Sequence, residues 1–229
     1  MAAEHAGVDL VFPCLPPEHI DAAKTYSLNF LLSSFKKPHL SKDDVKEYVQ
    51  MAKTMDAIAI GPGLGNHPET IEAIKLFFKQ VSTPMVIDAS ALMELKEFPH
   101  NAVLTPHRGE FKRLTGEDPT EESVQKWAKY FGCTIVCKGP RDIIADSQNI
   151  AINETGNALM TVGGTGDALA GFIAGLIARG YSPFLAGEVA TNVLGLSGDY
   201  LATMQSSLTA REVIQIIPTV WKKQVEIET

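Results

Sequence analysis

The sequence predicts one α/β domain in which helices cover both faces of a mainly parallel sheet, giving three layers. Short apolar segments at residues 57–60, 84–88 and 134–137 show no polar alternation, which is typical of strands buried on both faces. Helical patterns separate these segments and recur about every 25–35 residues, as in doubly wound sheets. A chain of 229 residues that is 45% hydrophobic can enclose a single core, so we predict one domain over residues 1–229.

Composition excludes several classes of function. The formal net charge of −7 argues against a general nucleic-acid or anionic-membrane binder. No apolar run reaches membrane-spanning length, and no basic-plus-apolar secretory start is present. Cys14, Cys133 and Cys137 form neither a disulfide framework nor a zinc pattern, and the last two are predicted to be buried thiols. We therefore expect a cytoplasmic protein that acts on small molecules.

The first sixty residues carry a helix end, two short strands, a longer helix and a buried strand. The predicted bounds are 1–7 for the helix end, 8–12 and 27–33 for the strands, 41–54 for the helix and 57–60 for the buried strand. Ser41 followed by Asp44 is a plausible start for the longer helix, because this spacing suits a capping box.

A glycine-rich loop, Gly61-Pro-Gly63-Leu-Gly65, follows the buried strand directly, and Pro68 then opens a helix over residues 69–79. Open α/β sheets bind ligands where such loops join a strand end to a helix. A tight turn needs only one glycine, so three in five residues favour a backbone that lies against a ligand. Gly63 and Gly65 are therefore candidates for substrate binding.

Two further strands end in polar residues. Asp88 closes strand 84–88, where it either orients magnesium-bound water or caps the next turn. Strand 102–105 is followed by His107, by Glu110 and by a helix at 111–114 that Gly116 closes. His107 lies past a strand end rather than on an apolar face, so we predict a contact with substrate. Glu110 either caps its helix or orients a metal-bound water.

An amphipathic helix that begins at Thr120 and ends at Gly132 leads into strand 134–137. The turn that follows combines cations with a flexible backbone, both suited to phosphate, although a polar surface turn is also open. Its residues are the nucleotide-binding candidates Lys138, Gly139, Pro140, Arg141 and Asp142. Residues 143–145 and 150–152 are predicted to form a hairpin.

The stretch from residue 157 to 180 organises the site. An apolar run at 158–162, predicted to be extended, meets Gly163-Gly164-Thr165-Gly166, and a small-residue helix starts at Asp167. A helix start after glycines is an anion site with unpaired N–H groups. The helix terminus should keep Asp167 ionised, and a carboxylate beside a phosphate makes sense as a base for an attacking hydroxyl. The alternative is an ordinary first-turn Asp beside packing glycines.

The C-terminal third is predicted to hold a long helix from Pro183 to about Thr203, in which glycines allow close packing, and a final helix. Thr209 caps that final helix and Pro218 interrupts it. The loops at Gly61, Thr105, Lys138 and Gly163 all follow apolar strands, so they should gather at one edge of the sheet. From the residues alone we infer phosphoryl transfer to a hydroxyl, with Asp167 as the base.

Gly-Thr-Gly-Asp167 followed by Ala-Leu-Ala-Gly resembles the catalytic segment of ribokinase-like enzymes. Together with Gly-Pro-Gly-Leu-Gly65 and Thr-Pro-His-x-Gly-Glu110, it resembles the ADP-dependent NAD(P)H-hydrate dehydratases. In that family a strand, a glycine-containing loop and most of a helix precede this start, and we expect them to be absent or left out of the numbering. Ser90 stands where the family pattern has an Asp, and Asp142 stands where the family often has a Thr.

The resemblance implies a ribokinase-like fold and ADP- or ATP-dependent repair of hydrated NADH and NADPH, with Mg²⁺ and a homo-oligomer, a tetramer in the family pattern. It implies that Asp167 is the base and that Gly164 and Gly166 help to form the anion hole. The nucleotide would contact Lys138, Gly139, Pro140, Arg141, Asp142, Thr165 and Gly166. The hydrate would contact Gly63, Gly65, His107 and Asp167, and a metal would contact Asp88 and Glu110. The alternatives are a vitamin or sugar kinase and a non-catalytic nucleotide-binding protein.

Overall fold

The main sheet has six strands in the order of the sequence. A computed structural model describes residues 1–93 and 97–228. The strands are β3 (Ile58–Ile60), β4 (Met85–Ile87), β5 (Val103–Leu104), β6 (Thr134–Cys137), β7 (Asp142–Ala145) and β8 (Ile150–Asn153), after a separate parallel pair, β1 (Cys14–Leu15) with β2 (Ser33–Ser34). Strands β3 to β6 are parallel, and β6, β7 and β8 pair in antiparallel fashion. The predicted mainly parallel sheet and its terminal hairpin are confirmed.

Helices cover the sheet on both faces. The helices in the described part of the chain are α1 (Ala2–His5), α2 (Ile20–Ala23), α3 (Lys42–Ala52), α4 (Pro68–Phe78), α5 (Ser90–Met93), α6 (Arg108–Thr115), α7 (Glu121–Phe131), α8 (Thr165–Ala178), α9 (Pro183–Ala202) and α10 (Ala210–Glu228). One core contains side chains of α3, α4, α6 and α7, and the other contains those of α1, α8, α9 and α10. Along β4, Met85 and Ile87 belong to the first core and Val86 to the second, because successive strand residues point to opposite faces.

Local sequence signals explain where the helices begin and end. The side chain of His67 accepts a hydrogen bond from Glu69 N at the start of α4, where Pro68 is the first helical residue. Thr120 and Ser123 form the capping box of α7, and Gly132 ends that helix with φ of 66°. These capped ends match the predicted helix starts and stops, although α6 begins three residues earlier than predicted.

Several predictions of local structure are wrong. Residues 8–12 hold only the bridge from Val11 to Phe30, and residues 27–33 hold that bridge and Ser33, the first residue of β2, because the parallel pair forms slightly later in each segment. The apolar run after Asn157 is a 3₁₀ turn, Ala158–Met160, because the Asn157 side chain accepts a hydrogen bond from Leu159 N and caps it. Pro218 lies inside α10 and does not end it.

The cysteines behave as buried thiols. Cys133 and Cys137 are buried, Cys14 is half-buried, and burial raises the pKa of Cys133 and of Cys137 to about 12. These thiols stay protonated at neutral pH, as expected for core packing. Within the described ranges, none of the helices is both long enough and apolar enough to span a membrane.

Candidate functional site

The loops that follow β3, β4 and β6 meet at one edge of the sheet. Lys138, which follows β6, places its Nζ 2.8 Å from Oδ1 of Asp88, which follows β4. A Cβ at Gly61, which follows β3, would overlap the backbone oxygen of Asp88. Ser90 Oγ donates a hydrogen bond to Gly61 O over 2.8 Å. The structure therefore brings these loops together at the carboxyl ends of parallel strands, where such sheets bind ligands.

Helix α8 starts at this edge with its backbone donors open. Gly164 is the N-cap, with φ of 93°, and no side chain in the described part of the protein caps the helix. A Cβ on Gly166, in the first turn, would lie 3.2 Å from Lys138 Nζ. The N-terminal N–H groups and the ammonium group therefore face the same small volume, which suits a phosphate.

Asp167 lies in the first turn of α8 and is exposed to solvent. Its pKa is raised from the ordinary aspartate value, first by partial burial and then by the carboxylate of Asp88, while Lys138 acts in the opposite direction. We expected the helix terminus to favour the ionised form. The pKa of Asp167 moves in the opposite direction, because partial burial and then the second carboxylate, Asp88, both disfavour the ionised form.

Asp88 is 2% exposed, and its ion pair with the partly exposed Lys138 makes it a buried charge with a partner. Both open interpretations of Asp88, metal ligand and turn cap, had overlooked this partner. Within residues 1–93 and 97–228, no three His, Cys, Asp or Glu side chains cluster as a metal site. Lys138 instead lies among three carboxylates, those of Asp88, of Asp142 and, at the helix start, of Asp167.

His107 and Glu110 form a capping box at the start of α6. Nδ1 of His107 accepts hydrogen bonds from Gly109 N and Glu110 N, and Oε2 of Glu110 accepts one from His107 N. The backbone of His107 bridges to that of Lys138, so the ring stands beside the site and its side chain is 55% exposed. Glu110 has the capping geometry, and its Oε1 also lies 3.5 Å from Nε2 of His107. A ligand can therefore reach the exposed ring, but Nε2 already stands beside a carboxylate.

The turn after β6 is fixed by Asp142. Its Oδ1 accepts a hydrogen bond from Gly139 N and its Oδ2 accepts one from the Asn153 side chain. Burial raises the pKa of Asp142, while these two donors act against the rise. Asp142 therefore closes the Lys138–Gly139 turn. Pro140 and Arg141 are exposed, and Arg141 Nε contacts Glu154 Oε1 over 2.8 Å.

The remaining predicted residues divide between open and engaged groups. Gly63 and Gly65 have φ of 72° and 69°, and no described atom lies within 4 Å of a Cβ built at either position. Their backbone needs glycine and also leaves room for a ligand. The hydroxyl of Thr165 instead donates to the carbonyl oxygens of Met160 and Val162, so it serves the loop itself.

A cavity of about 1250 Å³ lies beside Asp167. It runs between the outer edge of β3, the N-terminal segment and the small-residue face of α8, and its wall includes Gly61, Leu64, Gly164 and Asp167. Its lining is mostly apolar, with Asp167 among the few charged groups, as is common in small-molecule sites.

Sequence reasoning missed two residues that organise the loops. Ser90 was considered only as a departure from a family pattern, yet its hydroxyl holds the carbonyl of Gly61. Asp199 of α9 was not considered, although its carboxylate accepts hydrogen bonds from Gly156 N and from the side chain of Asn157. The close-packing glycines of α9 were the available signal, because they mark a surface that another segment approaches.

Comparison with known proteins gives consistent matches. A family model described as NAD(P)H-hydrate dehydratase matches residues 1–219. The chain is 37% identical to the bifunctional NAD(P)H-hydrate repair enzyme Nnr of Pyrobaculum aerophilum, over 97% of this chain and 47% of the relative. It is 31% identical to the ADP-dependent (S)-NAD(P)H-hydrate dehydratase of Cenarchaeum symbiosum, over 97% and 82% respectively. It therefore spans about half the length of the bifunctional relatives.

Solved structures agree. The ADP/ATP-dependent NAD(P)H-hydrate dehydratase of Bacillus subtilis, co-crystallised with ATP and Mg²⁺, is similar with a TM-score of 0.82 and 27% identity. The match covers 97% of this chain and 82% of that one. A ribokinase-like protein of Enterococcus faecalis has a TM-score of 0.85 at 27% identity. The predicted ribokinase-like fold is confirmed.

Proposed function

The chain belongs to the NAD(P)H-hydrate dehydratase family, and we propose that it restores hydrated NADH and NADPH to NADH and NADPH with ADP or ATP as phosphoryl donor. One observation carries the proposal. Asp167 stands at an uncapped helix start whose first turn faces the Lys138 ammonium, beside a large and mostly apolar cavity. That combination offers a base, an anion site and room for the hydrated nicotinamide ring in one place.

The reaction we infer has two steps. The carboxylate of Asp167 accepts the proton of the ring hydroxyl, whose oxygen attacks the terminal phosphorus of the nucleotide, and AMP leaves when ADP is the donor. The C–O bond of the phosphorylated ring then breaks, inorganic phosphate departs with the bonding electrons, and the adjacent carbon loses a proton. The ring double bond is restored, and the sum is hydrate plus ADP giving NAD(P)H, AMP and phosphate.

The anion hole in this proposal is the start of α8. The N–H groups at Gly164 to Gly166 have no side-chain cap among the described residues, and the helix dipole favours negative charge there. The ammonium of Lys138 lies below this turn, held by Asp88, so the positive charge is already in position before the nucleotide arrives. Preorganised donors of this kind stabilise the charge that develops on the transferred group.

The remaining contacts with the nucleotide and with the hydrate are assigned to groups that a ligand can reach. We propose that the turn Lys138–Gly139, backed by Asp142, contacts the nucleotide, with Pro140 and Arg141 at its outer side and Thr165 shaping the loop. Gly63, Gly65 and His107 would contact the hydrate, because their outward sides are free of described neighbours or solvent-exposed.

Magnesium fits this donor set as an ion that comes with the nucleotide. Mg²⁺ is commonly held by one or two carboxylates plus substrate phosphates, and Asp88 lies at the site with Asp167 near it. Bound there, it would offset the charge of the polyphosphate. Glu110 is the less suitable ligand, because one of its oxygens already accepts the hydrogen bond from His107 N.

The test is recovery of NADH from chemically hydrated NADH, followed by absorbance, with ADP, ATP or no nucleotide. We expect magnesium- and nucleotide-dependent recovery by the wild type and a loss of about 10²–10⁴-fold in Asp167→Asn, which lacks the base. Phosphoryl transfer to a vitamin or sugar without recovery of NADH would instead support a kinase. Nucleotide binding without any turnover would support a binding protein. Light scattering of the same sample tests the proposed homo-oligomer, and the cytoplasmic location stays a prediction.

A further inference from the structure

We propose that Asp199 of α9 is a positioning residue that holds the loop carrying Asp167 in its reactive geometry. It acts through the segment Thr155–Met160 and touches neither the proposed substrate nor the nucleotide. The inference rests on the proposed function for its kinetic readout, whereas its structural readout does not. Nothing in the motifs of the site identifies Asp199, which lies 32 residues after Asp167 in the sequence.

The first link joins α9 to the start of the segment. Oδ2 of Asp199 accepts a hydrogen bond from Gly156 N over 2.9 Å, and Oδ1 accepts one from Asn157 Nδ2, also over 2.9 Å. Both oxygens are therefore engaged by neighbouring residues of one segment. Gly156 has φ of 101°, so the chain turns sharply at the point that the carboxylate holds.

The second link runs from Asn157 to α8. The Asn157 side chain accepts a hydrogen bond from Leu159 N over 3.0 Å and so caps the turn Ala158–Met160. The carbonyl oxygens of Met160 and Val162 in turn accept the hydroxyl of Thr165, the first residue of α8. Hydrogen bonds thus connect the Asp199 carboxylate to a residue two positions before Asp167.

The surface of α9 is shaped to receive this segment. A Cβ at Gly195 would lie 2.7 Å from the backbone carbonyl carbon and oxygen of Thr155, and one at Gly198 would lie 2.5 Å from Met160 Cγ. A Cβ does not make contacts of that length, so Gly195, which faces backbone, needs glycine, whereas a side chain at Gly198 would require Met160 to move. Asp199 follows directly, and shape and hydrogen bonding therefore fix the same six residues.

A purely stabilising role is the competing explanation, and an exchange of the two side chains separates it from positioning. In Asp199→Asn, the amide oxygen can still accept the hydrogen bond from Gly156 N. The new NH₂ group, however, faces the NH₂ group of Asn157, and because both groups are donors the hydrogen bond between the two side chains is lost. In the double variant Asp199→Asn/Asn157→Asp, the carboxylate at 157 accepts from the amide at 199 and can also cap Leu159 N. All three hydrogen bonds are then available again.

The experiment measures kcat, KM, the melting temperature and the hydrogen exchange of the hydrogen-bonded amides at Thr161, Val162 and Ala168, which flank the open donors, in each variant. Asp199→Asn should lower kcat about 10–100-fold, because small displacements of a catalytic group cost that much, with KM for the nucleotide changed much less. The exchange variant should recover most of kcat. Faster amide exchange in Asp199→Asn, reversed in the double variant, is expected as well. Glu188→Gln, on an exposed position of α9, is the matched control and should leave both readouts unchanged.

The outcomes are separable. Wild-type kcat in Asp199→Asn, or exchange rates at Thr161, Val162 and Ala168 that do not change, would overturn the positioning role. So would a double variant that regains its melting temperature but not its kcat. If the wild type itself does not recover NADH, the proposed function is wrong, and the amide exchange rates still decide whether Asp199 orders the loop.

Discussion

The two glycine-rich loops of the molecule look alike in sequence and differ in what their glycines do. In the first, residues 61–65, Gly61 is needed because the backbone of Asp88 occupies the place of a side chain, and α4 beyond the loop is capped by His67. In the second, residues 163–166, α8 starts with no side-chain cap within the described chain. The first helix start is already satisfied, while the second keeps donors for a ligand.

The difference shows that a glycine pattern alone does not identify the anion site. Asp88 connects the two loops, since its backbone packs against Gly61 while its carboxylate holds Lys138 beneath Gly166. One loop is thereby anchored by the backbone of Asp88, and the other is supplied with charge by its side chain. Substitutions in the two loops should therefore fail in different ways.

The largest effect is expected in the first loop, residues 61–65, which is anchored by the backbone of Asp88. Gly61→Ala should destabilise the fold by more than the roughly 1–3 kcal/mol of its positive φ alone, because the new Cβ also overlaps Asp88 O. Gly65→Ala is the matched control, since it carries φ of 69° with no described atom near its Cβ, and should cost only about 1–2 kcal/mol. Urea unfolding midpoints measure both. Equal losses would contradict the anchoring role of Gly61.

A smaller effect, on turnover rather than on folding, is expected in the second loop, residues 163–166, whose helix start has open donors. Gly166→Ala places a Cβ 3.2 Å from the flexible end of Lys138, which can move, so the melting temperature should change little. The methyl group enters the anion cradle, and kcat/KM should fall about 10–100-fold through displacement of the nucleotide. Gly163→Ala, with no described atom within 4 Å of its Cβ, should lose less. The idea fails if both variants lose activity equally.

The smallest effect is a dependence of activity and stability on pH, which arises from Asp167 beside the second loop. Because the pKa of Asp167 is raised in the folded protein, activity should decline with falling pH from above the ordinary aspartate range. The ionised form opposes folding, so Asp167→Asn should be more stable than the wild type at neutral pH. That difference should vanish as the pH falls below the unfolded value of about 3.9. Thermal melts across pH measure it, and a difference that grows on acidification would refute it.

The sequence predicted well what is encoded locally. Buried strands and capped helices follow from unbroken apolar runs and from residues such as Thr120 and Gly132, and the structure has them where expected. The errors fall where local signals are weak or contradictory. The apolar run after Asn157 was predicted as extended chain because periodicity does not register a capping side chain, and residues 8–12 were misassigned because two-residue strands leave almost no pattern.

The site was predictable as a set of loops and not as a set of contacts. Asp88, Lys138 and Asp167 were all selected from strand and helix ends, but the ion pair joins residues 50 positions apart and no local pattern encodes it. Asp199 was not predicted from the sequence for a similar reason. An acidic residue in a long helix ordinarily faces water, and only the segment folded against α9 gives it partners.

The sheet has a further consequence for how the chain folds. Since the six strands are paired in chain order, each of the strands β4 to β8 can join the strand before it, and none pairs across an intervening strand of the sheet. The long-range contacts include those of the site, among them Asp88 with Lys138 and Gly156 with Asp199, 43 positions apart. We therefore expect the sheet to assemble early by neighbour-to-neighbour growth and the reactive loop to become ordered in a late folding step.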